Sequence, residues 1–254
     1  MFPFFEPIEW LIIYSFWLTI TICFFLFLWM LKKLSTRFHY DYSIFTRNIL
    51  WYFLSVFLFS RLFYVIWRWN DLKYIENSLE FFIMNDYNFS LFWAIFWFFI
   101  ILILNLKLRN KHIRDYIDWI TISFLFILIF WFLWAFFWWQ VFWRETSFWI
   151  ELLYSNPYTP VPYQVPVFPL AIVYSILFFV EFSVLYILSM FVKIKWFLWY
   201  IWLIVFSTSI LIFEYFTWKY DILKDFININ FAQAFAIIII IISITQLYKI
   251  LKDK

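Results

Sequence analysis

Seven stretches, near residues 9–31, 47–67, 88–106, 117–143, 167–192, 196–216 and 230–248, stay apolar for about the 20 residues that a helix needs to cross a bilayer. No other feature of the chain narrows its fold as much. In hydrocarbon every backbone N–H and C=O must be satisfied within the segment, and a helix satisfies them. Composition points the same way: 67% of the 254 residues are hydrophobic and 14% are charged, against about 45–50% and 25% in an ordinary soluble domain. A soluble enzyme, a nucleic-acid binder and a disordered chain are excluded on these grounds. The sequence reads as an all-α integral membrane protein, a single polytopic domain over residues 1–254.

The segments between the apolar stretches alternate in charge. The first, third and fifth connections and the tail hold 13 of the 19 basic residues, and the N-terminal segment and the other connections hold 5, leaving Arg61 inside a span. The positive-inside rule then places the N-terminus outside and the C-terminus in the cytoplasm, which an odd number of spans requires. The acidic segment MFPFFEPIEW lacks the basic start of a cleavable signal peptide. The fourth connection, residues 144–166, contains Pro157, Pro160, Pro162 and Pro166 and belongs in the outer interface or folded over the bundle, because irregular backbone is not tolerated in lipid. Residues 71–86 fit an interfacial helix or a plain loop.

A charged side chain at mid-span costs about 2.5–3.5 kcal/mol on insertion scales, so Arg61 and Glu181 stand out, with Asp118 and Glu214 nearer span ends. A guanidinium matches the phosphate of an anionic lipid; a pair with a carboxylate, or snorkelling to the interface, accounts for Arg61 equally well. For Glu181 an ion pair or a neutral, satisfied carboxyl outweighs a general base. Gln233 fits a tie between helices. The single Cys23 permits no disulfide framework, and His39 and His112 have no cluster of ligands beside them, so no metal site is expected.

The chain has 0 Gly and 19 Trp, where average usage gives roughly 18 glycines. Trp134/Trp138, Trp139/Trp143 and Trp93/Trp97 are each four apart, the spacing at which small residues let membrane helices approach closely; Trp196, Trp199 and Trp202 lie along one helix. The pattern predicts that UGA codons of a lineage that decodes them as glycine have been read as tryptophan. Trp10 and Trp69 fit an aromatic belt at the interface instead.

With glycine at those positions, the stretch from Trp131 to Thr146 resembles the signature of the phosphatidylglycerol–prolipoprotein diacylglyceryl transferases, Gly-Arg-x-Gly-Asn-Phe-x-Asn-Gly-Glu-x-x-Gly-Arg-x-Thr. Trp131, Trp134, Trp139 and Trp143 fall on its four glycines, and Phe136, Arg144 and Thr146 match directly. Further pieces follow in the family's order. Arg61-Leu62-Phe63-Tyr64-Val65 resembles Arg-Leu-Gly-Tyr-Val, and residues 89–97 resemble a Ser-x-His-Gly-Gly-x-x-Gly stretch. Phe213-Glu214-Tyr215-Phe216 resembles a late Glu-Phe-Phe segment, and Phe231-Ala232-Gln233 resembles Met-Gly-Gln. The family's seven spans and N-out topology also agree. The resemblance implies transfer of a diacylglyceryl group from phosphatidylglycerol to the cysteine thiol of a prolipoprotein, in the bacterial cytoplasmic (inner) membrane and without metal or organic cofactor. The implied partners are phosphatidylglycerol, the prolipoprotein signal peptide and membrane lipids, with no nucleic acid. It assigns lipid phosphate to Arg61 and Arg144 and makes Gln140, Tyr14 and Glu214 the family-matched candidates for catalysis.

The chain departs from the family pattern at polar positions. The signature Arg, Asn and Glu fall on Phe132, Ala135 and Gln140. The family histidine of the third span falls on Phe92, the His-Pro pair entering the fifth falls on Phe168-Pro169, and the Arg four residues before Glu214 falls on Ile210. A non-catalytic descendant that binds phospholipid or lipoprotein is therefore the alternative. A small transporter is disfavoured, since the chain shows neither paired broken helices nor a ring of like charges.

Overall fold

The computed structural model describes residues 4–8, 11–67, 91–138, 152–153, 166–213 and 231–252. Among them the chain is mostly helical. The long helices are α1 (Ser15–Phe38), α3 (Ile49–Trp67), α4 (Leu91–Leu108), α5 (Ile117–Trp138), α6 (Leu170–Phe191), α7 (Phe197–Phe213) and α8 (Phe231–Lys252), with a short α2 (Ser43–Thr46). Each long helix falls on one of the apolar stretches. Four stretches, Leu18–Phe38, Ile117–Phe136, Leu170–Phe191 and Gln233–Lys252, are long and apolar enough to cross a membrane; those in α3, α4 and α7 are shorter. Their outer faces are apolar as well. Phe25, Leu50, Ile176 and Ile241 are each at least 60% exposed, as suits helices whose solvent is lipid rather than water.

The first helix begins later than its apolar run. Residues Phe4–Ile8 (β1) and Leu11–Tyr14 (β2) form an antiparallel hairpin that pairs Phe4 with Tyr14 and Ile8 with Leu11. Its register shifts between Phe5 and Ile8, around Pro7, which has no N–H to give a ladder and is tolerated at such an irregularity. Tyr14 is thus a strand residue just before α1 and not part of a spanning helix. A second pairing, Leu152–Leu153 (β3) with Pro166–Val167 (β4), brings together two points of the Pro-rich fourth connection. Helix α6 starts directly after Pro169, whose carbonyl accepts the N–H of Val173 at 3.3 Å; a ring that fixes φ and lacks an N–H suits a helix start.

The chain divides into two compact units, residues 1–33 with 117–254, and residues 34–116. In the first, α5 packs on α6, α7 packs on both, and α8 packs on α7. Trp119, 2% exposed, donates its indole N–H to the Leu31 carbonyl of α1 at 3.2 Å. Gln233 donates to the Leu211 carbonyl at 3.1 Å and ties α8 to α7. In the second unit α3 packs on α4 through aromatic rings, Phe59 stacked on Trp97 at 3.9 Å and Tyr52 tilted against Phe98 at 5.4 Å. Asn48 donates to Asn105 at 2.6 Å across the same pair.

Among the described residues three have positive φ: His39 (56°), Asn110 (53°) and Trp196 (70°). The first two end helices. Tyr40 N–H returns to Ser35, and Lys111 N–H to Leu106, each closing the wide six-residue loop of a left-handed C-cap. Asn tolerates that conformation and commonly replaces glycine in it. Trp196 is different. It is the third residue of a turn closed by Phe197 N–H to Ile194 O at 3.3 Å, and its own carbonyl accepts the first bond of α7, from Tyr200 at 3.1 Å. A positive φ at that place in a turn calls for glycine, and a bulky side chain there is an outlier.

Candidate functional site

Arg61 lies in the last two turns of α3, in the second unit, and is 2% exposed. Helical spacing of 100° per residue puts it on the opposite side of α3 from Phe59 and Phe63, whose rings meet Trp97 at 3.9 and 6.0 Å. The neighbouring hydroxyls of Ser55 and Ser60 are turned back onto their own helix, to the carbonyls of Tyr52 and Phe57 at 3.0 Å each. Arg61 thus buries a guanidinium with five donors in α3, and a planar cation of this kind pairs strongly with phosphate or carboxylate.

The other described candidates belong to the first unit. Trp131 and Trp134 are half-buried near the end of α5. Phe132 sits in an aromatic cluster: its ring is 5.1 Å from Tyr174 and 5.3 Å from Phe178 of α6. Tyr174 in turn meets Phe213, the last residue of α7, at 5.6 Å. Among the described residues this cluster holds no cation. Gln140, Arg144, Trp139, Trp143 and Glu214 lie outside the described residues, as does the side chain of Tyr14. The structure thus groups Trp131, Phe132 and Trp134 on one helix end and places Arg61 in the other unit.

One polar residue has a role that sequence reasoning missed. Asp118, in the first turn of α5, accepts the backbone N–H of Trp199 at 2.8 Å. It thereby satisfies one of the N–H groups that every helix start leaves without a partner, and its negative charge faces the positive end of the α7 dipole. The signal was present in the sequence. The entry to α7, Lys195-Trp196-Phe197, has no Ser, Thr, Asp or Asn to act as N-cap, so an acceptor had to come from elsewhere.

Outside the membrane-spanning segments, Asp41 accepts the backbone N–H of Ser43 at 3.0 Å, and Arg109 donates to the Ser43 hydroxyl at 3.0 Å. The hydrogen bonding from Ser43, with the positive Arg109 and Lys111 nearby, holds the Asp41 carboxyl below its ordinary range against a partial opposing effect of burial. This links the α1–α2 turn to the end of α4. No family model matches the chain, and no curated protein is similar to it.

Proposed function

We propose that this membrane protein transfers a diacylglyceryl group from phosphatidylglycerol to a prolipoprotein cysteine thiol, in a bacterial cytoplasmic membrane crossed by seven helices with the N-terminus outside. The buried guanidinium of Arg61 carries the reading, together with the family signature over Trp131–Thr146. In this reaction a C–S bond forms at the glyceryl carbon while its C–O bond to phosphate breaks. Glycerol phosphate departs with the negative charge, and the thiol proton goes to a base. Arg61 stabilises the departing phosphate. Positions 131, 134, 139 and 143 carry glycine in the working protein, which lets the end of the fourth span close on its neighbours.

A second reading, binding of phosphatidylglycerol without transfer, is supported by one observation: Phe132, onto which the resemblance maps the signature Arg, packs against Tyr174 and Phe178. One experiment separates the two. The chain is reconstituted in phosphatidylglycerol vesicles with a lipobox peptide, and the peptide mass and lipid binding are followed. A diacylglyceryl mass increase supports transfer. Lipid binding without that increase supports the second reading. In both, Arg61→Ala weakens phosphatidylglycerol binding by about 10- to 100-fold, the worth of one charge-assisted contact of about 1.5–3 kcal/mol. Unchanged binding in Arg61→Ala refutes both.

A further inference from the structure

Helix α6 carries a carboxyl at its midpoint. At 1.5 Å per residue, Glu181 is about 15 Å from either end of Leu170–Phe191. It continues the buried stripe of that helix, following Tyr174 and Phe178 and preceding Leu185 at intervals of three and four. It is 6% exposed, and neither carboxyl oxygen has a hydrogen-bond partner among the described residues.

Ring contacts define its level in the bundle. Phe126 of α5 meets Phe182, the next residue of α6, at 5.3 Å. Phe124 meets Trp202 of α7 at 6.3 Å. Trp202 stacks on Phe206 at 5.4 Å, and Phe206 on Phe178 at 6.0 Å. Aromatic side chains of all three helices therefore stand at the depth of Glu181. Two more buried polar groups of α7, the Trp202 indole N–H and the Ser207 hydroxyl, also lack partners among the described residues. The titratable side chains on the helices concerned are Asp118 on α5, Tyr174 and Tyr186 on α6, and Tyr200 on α7. None of them bonds to Glu181.

An ionised carboxylate in a dry interior needs a cation or several donors. A carboxylic acid brings its own donor and needs neither. We propose that Glu181 is a proton-binding site in the interior of the α5–α6–α7 bundle, held as the neutral acid and open to modification by lipophilic carboxyl reagents. The inference is independent of lipid transfer.

The test treats the full chain in phosphatidylcholine vesicles with dicyclohexylcarbodiimide or with a charged, water-soluble carbodiimide. The acid O–H adds across a C=N bond of the reagent: oxygen bonds to carbon, the proton goes to nitrogen, and no group leaves. Acyl migration to nitrogen then gives a stable adduct of the same mass. The expected result is an adduct on the Glu181 peptide from the lipophilic reagent and none from the charged one. A Glu181 left unmodified while other carboxyls of the chain react, or one modified equally by both reagents, overturns the proposal. Infrared difference spectra of the wild type against Glu181→Gln give a second readout. A carboxylic-acid C=O band that shifts in deuterated water supports the site, and a carboxylate band alone overturns it. If the variant does not fold, wild-type labelling decides the matter by itself.

Discussion

Replacing Trp196 by alanine and, separately, by glycine isolates the cost of its backbone conformation. Both variants lose the same indole and its contact with Tyr200, whose ring centre is 5.6 Å away. They differ in what they do at φ 70°. A residue with a Cβ is penalised there by about 1–2 kcal/mol, and glycine is not. Glycine in turn loses about 0.5–1 kcal/mol more chain entropy on folding. The balance favours glycine over alanine by about 0.75 kcal/mol, roughly 3.5-fold in the folding equilibrium. At Trp134, inside α5, the order must reverse, because glycine is about 0.8–1 kcal/mol worse than alanine in a helix interior. Unfolding of the four variants in mixed micelles titrated with SDS, followed by circular dichroism, measures both pairs. An alanine variant at 196 as stable as the glycine variant, or more so, refutes the reasoning. The same logic extends to the gene: the triplet at 196 is expected to be TGA, and a TGG triplet there overturns the glycine reading at that turn.

Other perturbations follow from the observed contacts. Asp118→Ala removes the acceptor for Trp199 N–H at 2.8 Å and costs about 1–2 kcal/mol, as loss of an N-cap does; Asp118→Asn keeps an acceptor and recovers most of it. Amide exchange at Trp199 reports the change directly, and equal exchange in the alanine variant and the wild type would contradict the capping role. For Asp41 the sign follows from a folded-state pKa held below the unfolded value. Its contribution is fully present above the unfolded pKa and is lost as pH falls through the folded one. Acid is therefore expected to loosen the turn around Ser43 in the wild type, and Asp41→Asn to remove that pH dependence, as read from exchange of the Ser43 amide between neutral and acidic buffer.

The tryptophans sort by their surroundings. Trp119 behaves as a tryptophan, buried and bonded through its N–H to Leu31. Trp97 and Trp202 bury indole N–H groups that find no acceptor among the described residues, each a cost of about 1–3 kcal/mol. Glycine at those two positions would remove the donor and the cost together. Composition shows that glycine is missing; only the local geometry separates a position that needs a bare backbone from one that uses its ring.

The sequence alone determined where the long helices lie, because the length of an apolar run and the need to satisfy backbone groups in lipid are properties of each segment by itself. It also marked Arg61 and Glu181, since a charge inside such a run is costly whatever surrounds it. What it could not contain were partnerships between distant segments. Leu11–Tyr14 is as apolar as the helix that follows, and its pairing with Phe4–Ile8 makes it a strand. Asp118 looks like a misplaced charge until α7 brings the N–H of Trp199 to it, 81 residues along the chain. Phe132 became part of an aromatic cluster only when α6 delivered Tyr174 and Phe178 to it. Local hydropathy acts along the chain, whereas hydrogen bonds and ring contacts depend on which segments meet, and packing alone decides that.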